Sequence, residues 1–325
     1  MRKFTVVAAS MTTLMAVAGC GAGQQADEAA EDYPSEELDW TIAFGTGGGN
    51  DIMARTMVEI IEQEELYPEN IVVENLEGGS GATGWSHVMG EAGSGYTVST
   101  TSGSFLTTPL QADTGWTHED FTGVGLFATD DLIFTVPGDS GMEDWDDWLD
   151  QADDSGTVAV GGIGTVNVDF IVHAELAEQA GYEIDYVPFN DEGQMQSALL
   201  SGTLDAAVSN PAEVMGQIEA EEVTPLLFTG EDRVASLPDV PTGDELGYVD
   251  LLSMPRGLIM PPDTPDYARE WWIETLQEVV ETPEWEAYLE DNYLTEAMLW
   301  GDDFEEYMAE SADEFEETLR EHGAI

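Results

Sequence analysis

Basic residues are nearly missing from this chain: seven Lys and Arg stand against 68 Asp and Glu in 325 residues, a formal charge of −61. So few cations cannot build the basic surface that nucleic acid or anionic lipid requires, which speaks against both as partners. Cysteine occurs once, at Cys20. That rules out an intrachain disulfide and any metal site built from several thiolates. The four histidines, at 87, 118, 173 and 322, have no spacing that suggests a triad or a metal site. No EF-hand loop is present, so neither metal nor cofactor is expected. No fixed-period repeat occurs.

What the N-terminus does contain is a secretory layout. Met1, Arg2 and Lys3 precede an apolar run, Phe4 to Val17, too short to stay in a bilayer as a permanent helix. Val17-Ala18-Gly19-Cys20 then places the lone cysteine behind small residues, as in the lipobox of bacterial lipoproteins. Residues 1–19 read as a signal peptide and Cys20 as the lipidated N-terminus. Residues 20–37, with the polar, acidic run "QQADEAAEDYPSEE", read as a flexible tether. Removing the leader takes Arg2 and Lys3 with it. Five basic residues, all arginine, then face 68 acidic ones, a formal charge of −63. Such a charge strains a compact chain in dilute buffer, whereas at molar salt the Debye length shrinks to about 3 Å and screens it. A protein exported into a salty medium is expected.

From Leu38 onward, short apolar runs alternate with helix-like stretches. "LDWTIAF", "NIVVEN" and "YTVSTT" read as strands separated by helices over Asp51–Gln63 and around Trp85–Met89. The pattern restarts with strands at 131–136, 156–161, 184–189, 204–210 and 223–229. The helices between them include an acidic one over 142–152, with Trp145, Trp148 and Leu149 inward. The last third reads as helical: 266–281, Pro283–Asp291 and Asp302–Glu321. Phe304, Tyr307, Met308, Phe315 and Leu319 there share helical spacing, a core stripe. Two α/β halves in series predict two lobes with a ligand cleft between them.

The most conspicuous motif is "AFGTGGGNDIMAR". It is not a dinucleotide fingerprint, because Asn50 stands where the third glycine would fall, nor a phosphate loop of the Walker type, which needs a lysine. Gly45, Gly47, Gly48 and Gly49 instead allow the backbone to aim N–H groups at one small anion beside a helix N-terminus. Thr46 lies within the turn, Asn50 or Asp51 would cap the helix, and Arg55 would pair with a local acid. "GGIGTVNVDF" repeats this logic in the second half, with Gly161, Gly162 and Gly164 opening the backbone and Thr165 or Asn167 as the cap. Ser102 and Ser104, and Asn190 and Asn210 just past strands, add neutral polar groups at cleft height. A third loop, "EGGSGATG", contains Ser80 but misses the G-x-S-x-G elbow at Ala82.

In order along the chain, six segments resemble the solute-binding receptors of tripartite tricarboxylate transporters: "FGTGGGNDIMAR", "VVENLEGGSGATG", "GSGYTV", "VPFNDEGQMQSALLSGTLDAAV", "DRVASLPDVPTGDELGY" and "RGLIMPPDTP". Ser94, the Phe189-Asn190-Asp191 segment and Pro255 depart from that family's pattern. The resemblance implies a two-lobed α/β fold of the periplasmic-binding-protein type II kind. Lobe 1 would comprise 38–137 and 252–325, and lobe 2 residues 138–251. It further implies an extracytoplasmic, monomeric receptor, lipid-anchored to the outer face of the membrane. Such a receptor would deliver a di- or tricarboxylate to a membrane permease. Carried over, the carboxylate contacts are Gly45 to Asp51, Gly161 to Thr165, Ser102 and Ser104, with Arg256 a candidate direct contact. Two other readings stand beside it: a secreted hydrolase using Ser80 or Ser104, and a carboxylate sensor without transport.

Overall fold

The computed structural model describes residues 30 and 32–325 except 165, 190, 191, 231, 250 and 322. The expected signal peptide, Cys20 and most of the expected tether therefore lie outside the described residues, as do Thr165 and Asn190.

The chain opens with β1 (Leu38–Ile42), α1 (Gly49–Gln63), β2 (Ile71–Asn75), α2 (Ala82–Gly90), β3 (Thr97–Thr100) and α3 (Gly103–Gln111). β1 pairs in parallel with both β2 and β3, as the alternation predicts. β4 (Thr122–Asp130) completes this stretch. After two residues the chain enters a second sheet at β5 (Ile133–Pro137).

The second unit runs α4 (Trp145–Ser155), β6 (Thr157–Ile163), α5 (Val168–Ala180), β7 (Glu183–Phe189), α6 (Glu192–Leu200), β8 (Ala206–Ser209), α7 (Pro211–Glu219) and β9 (Val223–Phe228), then the short α8 (Gly243–Leu246). The chain returns to the first unit with β10 (Met254–Met260), α9 (Asp266–Val280), α10 (Pro283–Asp291), β11 (Thr295–Trp300) and α11 (Asp302–Glu321). The sheet orders are β11-β4-β10-β3-β1-β2 and β7-β6-β8-β5-β9. This is a mixed α/β architecture of two lobes.

Two expectations are corrected. Residues 131–137 do not belong with lobe 1: Ile133, Phe134 and Thr135 of β5 pair with Ser209, Val208 and Ala207 of β8. The change of sheet falls at Asp131-Leu132. The last third is also not purely helical. β10 and β11 run antiparallel to β4 and fill out the first sheet. Their partner β4 is hard to read because glycines interrupt its apolar run. A Cβ on Gly125 would lie 2.7 Å from the Trp300 ring, so glycine is needed where β11 packs close.

The helices bury most of what their spacing predicts, with Leu149 and Tyr307 only half-buried. In α4, Asp144 caps the helix by accepting from the Asp147 amide at 3.0 Å, and Trp145 and Trp148 are buried. In α1, Val58 and Ile61 are buried, whereas Ile52 is exposed. α11 packs on α3 and β4 of the first lobe and on α5 of the second. Its Phe304, Met308, Phe315 and Leu319 join Phe105 and Leu126 from one lobe, and Val168 and Leu176 from the other, in one continuous core. A second core of Trp40, Val98, Phe127, Trp272 and Trp285 lies within the first lobe.

Phe315 is fully buried at this junction. Phe315→Ala should cost about 3–5 kcal/mol of unfolding free energy through lost burial and a residual cavity. Denaturant unfolding in molar salt measures it; a loss below about 1 kcal/mol would show that the junction is not packed as described.

Candidate functional site

β1 and β3 are adjacent and parallel, so the loops leaving their C-terminal ends lie side by side. The first is the glycine-rich turn. Its helix starts earlier than expected: Gly48 is the N-cap of α1, with φ −78° and ψ 165° and no side-chain cap. Asn50 and Asp51 lie in the first turn instead of capping it. Asp51 is buried, and its carboxylate accepts from the Gly47 amide at 2.9 Å, from Arg55 Nε at 2.9 Å and from Asn75 Nδ2 at 3.0 Å. Burial pushes its pKa up, but the hydrogen bonds from Gly47, Asn75 and Arg55 outweigh that and hold it below the usual carboxylate range. Asp51 thus clamps the loop and is spent on it, while Arg55 pairs with a local acid as expected. Gly45 sits beside Glu77, whereas Thr46, Gly47, Gly48 and Gly49 are exposed. Among the described residues, the amides of Gly48, Gly49 and Asn50 have no partner.

Ser102 is the N-cap of α3 and is 4% exposed; its Oγ has no partner among the described residues. Ser104 follows in the first helical turn, half-buried. The second lobe comes close here. A Cβ on Gly103 would fall 2.8 Å from Val168 Cγ2, and Gln111 Nε2 donates to the Val166 carbonyl at 3.1 Å. The N-termini of α3 and α5 therefore meet across the junction.

The second glycine-rich loop is occupied by its own lobe. Gly161 lies inside β6, paired with β7 and β8, and a Cβ there would strike Leu204 at 2.4 Å. The Ile163 amide donates to Asp169 at 2.6 Å, the Gly164 amide to the Phe189 carbonyl at 2.9 Å, and the Tyr186 hydroxyl to the Gly164 carbonyl at 2.9 Å. Asn167, one of the two expected caps, is the N-cap of α5. Burial, with Glu192 nearby, pushes the Asp169 carboxyl up to about 7 despite its bond from Ile163. Beneath the loop, buried His173 shares a 3.0 Å hydrogen bond between Nε2 and the Gly161 carbonyl. The carbonyl can only accept, so the ring carries its proton on Nε2, and burial holds its pKa down to about 4.

Sequence reasoning did not anticipate Asp130, the last residue of β4. It accepts from Arg256 of β10 and from Asn210, the N-cap of α7 in the other lobe. Arg256 also donates Nη1 to Asn50 Oδ1 at 3.2 Å, and its Nη2 lies 2.6 Å from where a Cβ on Gly49 would be. The guanidinium is therefore lodged under the first turn of α1, so a side chain at Gly49 would displace it. Asn210 and Arg256, both expected as ligand contacts, meet each other through Asp130. The neighbouring Asp131 accepts from Ser253, Thr295 and Thr129. Burial and Asp130 raise its pKa, partly offset by the Ser253 and Thr295 hydroxyls. The nearest sequence signal for the pair was the strand expected over 131–136, which begins at Asp131 and leaves Asp130 out.

Ser80 is exposed with φ 51°, its carbonyl accepting from Thr108 Oγ1 at 2.9 Å. His87 faces Asp39 at 3.5 Å and His173 faces Gly161, so neither is hydrogen-bonded to Ser80 or Ser104. Among the described residues no group of three or more His, Cys, Asp or Glu is placed to hold a metal ion, and no helix is long and apolar enough to cross a membrane.

Two α/β lobes joined by crossing strands, with loops from parallel strand ends facing each other, define the architecture of the two-lobed solute-binding proteins. A crystal structure of a TctC solute binding protein from Polaromonas, without ligand, shares it with a TM-score of 0.79 and 24% identity, over 89% of this chain and 99% of that one. An R. palustris protein solved with adipate matches with a TM-score of 0.72 and 20% identity, over 90% of this chain and 99% of that one. Protein BugT of Bordetella pertussis is 26% identical over 265 residues, 79% of this chain and 81% of that protein. Residues 53–323 match the model of the tripartite tricarboxylate transporter family receptors, and the chain belongs to that family. The match begins inside α1, so the glycine-rich turn at 45–49 lies just outside it.

His173 supplies a pH test of the second loop. Its folded-state pKa is depressed, so its contribution to stability is present above the ordinary histidine value near 6.5 and lost as pH falls toward 4. Wild type should therefore lose on the order of 3 kcal/mol across that window relative to His173→Gln, which cannot take a proton. Parallel unfolding curves from pH 7 to about 4 would contradict the buried neutral ring.

Proposed function

We propose that this chain is an extracytoplasmic receptor that captures a small organic carboxylate between its lobes. It would then deliver that ligand to a permease of the tripartite tricarboxylate type, without catalysing a reaction. The observation that carries this reading is the first lip of the cleft. Three successive amides, from Gly48, Gly49 and Asn50, stand unpartnered at the N-terminus of a 15-residue helix, next to the loop that holds the buried, unpartnered Ser102 hydroxyl. Backbone N–H groups at a helix start favour a carboxylate through direct bonds and the helix dipole. A chain so poor in cations has few other ways to hold one.

Gly48, Gly49, Asn50 and Ser102 are the contacts this reading favours, with Gly45, Thr46, Gly47 and Ser104 flanking them. Asp51 and Arg256 serve by holding the turn and the helix start in place. In the second lobe Gly161 and Gly164 shape a wall, since the Gly164 amide is already taken. Family membership supports the transport role, and the adipate in the R. palustris structure supports a carboxylate as cargo. Residues 1–19 would be removed on export, lipid on Cys20 would anchor the protein to the outer face of the membrane, and residues 20–37 would serve as the tether. The 68 acidic residues, against seven basic ones, suit a salty medium.

Calorimetric titration in molar salt with a panel of small carboxylates tests binding; folded protein that binds none of them would refute the reading. Gly48→Phe is the pointed variant. Its backbone angles suit any residue and its Cβ would meet only the Gly45 carbonyl, at 3.7 Å. The fold should survive, while affinity drops about a hundredfold or more as charge-assisted bonds worth ~1.5–3 kcal/mol each are blocked. Mass spectrometry of the mature N-terminus should find a diacylglyceryl group on Cys20; an unmodified N-terminus elsewhere would refute the anchor.

A further inference from the structure

The two walls of the cleft differ in hydrogen-bonding sense. On the first lobe, what is left unpartnered can donate: the Gly48, Gly49 and Asn50 amides and the Ser102 hydroxyl. On the second lobe, the unpartnered buried side-chain oxygens of Glu192 and Gln196, past the ends of β7 and β8, can only accept. At the C-terminal ends of β7 and β8, Glu192 Oε1 accepts from Ser209 Oγ at 2.6 Å and from Gln196 Nε2 at 2.7 Å, and Gln196 Nε2 also reaches Ser209 Oγ at 3.0 Å. This leaves Glu192 Oε2 and Gln196 Oε1, both buried, without a donor among the described residues. Gln196 is 3% exposed. Buried acceptors of this kind cost free energy until a donor reaches them.

Charge points the same way. Among the described residues Arg256 is the one cation at the cleft floor, and Asp130 already neutralises it. Asn210, adjacent to Ser209, ties that pair to the second lobe. Glu192 and Glu213 add negative charge with no cation of their own in the second lobe. Glu213, on the first turn of α7, is reached by solvent yet hemmed in by protein. Burial first, then Glu192 and Asp130, push its carboxyl up to about 7, while Arg256 offsets part of this. A second ligand carboxylate at this wall would face the carboxylates of Glu192 and Glu213. An alcohol would supply donors but leave the charge unmatched.

The geometry points to a ligand that is a small zwitterion: a carboxylate bound at the Gly48–Asn50 turn, and a protonated amine bound by Glu192 and Gln196 with Glu213 alongside. Glu192 and Gln196 are then the residues that select amino-carboxylates over diacids. This rests on the carboxylate reading of the first lip and adds the chemistry of the other end.

The test is calorimetric titration of the mature protein in molar salt with chain-matched pairs: succinate against 3-aminopropanoate, glutarate against 4-aminobutanoate, adipate against 5-aminopentanoate, together with the neutral α-amino acids. For the length that fits, or for an α-amino acid, the amine-bearing ligand should bind about tenfold or more tightly than any diacid. Glu192→Gln and Glu213→Gln should each weaken that ligand while leaving diacids unchanged or improved. Glu213→Gln, at a solvent-reached position, keeps the test usable if Glu192→Gln fails to fold. Tighter binding of a diacid than of every amine-bearing ligand would overturn the zwitterion while leaving the carboxylate reading in place. Amine-ligand affinity unmoved by the folded variants would overturn the assignment to this wall. Folded protein that binds neither kind would overturn the carboxylate reading itself.

Discussion

The junction of the two lobes depends on one buried carboxylate. Asp130 ends the strand from which the chain leaves the first sheet, and it accepts from Arg256 in that sheet and from Asn210 in the other. Arg256 is 8% exposed, and a guanidinium so buried is tolerable only when paired. The pair fixes it beneath α1, where it also holds the Asn50 side chain and leaves Gly49 no room for a Cβ. The position of the first lip therefore follows from an ion pair at the crossover, formed with a residue of the returning strand.

The crossover is braced a second time. Asp131 gathers hydroxyls from Thr129, from Ser253 on the returning segment and from Thr295 at the start of β11. Leu132 and Thr229 exchange two bonds, the Leu132 amide donating to Thr229 Oγ1 at 2.8 Å and the Thr229 amide to the Leu132 carbonyl at 2.9 Å. α11 packs over the same region and buries aromatic residues against both lobes. Interdomain motion in two-lobed receptors is absorbed at a few connecting residues. Here those residues are tied by polar bonds that report on both strands at once. Each lip is likewise held from within by an acid of its own helix, Asp51 at Gly47 and Asp169 at Ile163. The second lip is fixed by Asp169 alone, whereas the first also draws on two of the scarce cations, Arg55 and Arg256.

Much of this was legible in advance where the information is local. The parallel strands and intervening helices follow from periodicity, and α10 and α11 fall at the expected residues. The acidic helix α4 buries its tryptophans as its spacing demands. β4, β10 and β11 were not legible, because glycines interrupt β4 and because antiparallel pairing between strands far apart in the chain leaves no periodic mark. The two glycine-rich loops were found, yet their equivalence was not real. One presents its amides, whereas the other spends the Ile163 and Gly164 amides on Asp169 and Phe189. Asp51 likewise looked like a contact for the ligand and is instead consumed by its own loop.

The sequence by itself determined the electrostatic terms: an overwhelming acidic excess, with seven basic residues against 68 acidic ones, too few to build a cationic pocket. It also determined two α/β halves and the glycine-rich turn that starts a helix. Only the tertiary structure decided which polar groups are spent and which remain. The pairs that settle this join residues 80 and 126 positions apart, Asn210 and Arg256 with Asp130. Hydrogen bonds across such separations are set by how the sheets cross and pack. Local propensity and spacing contain no record of them.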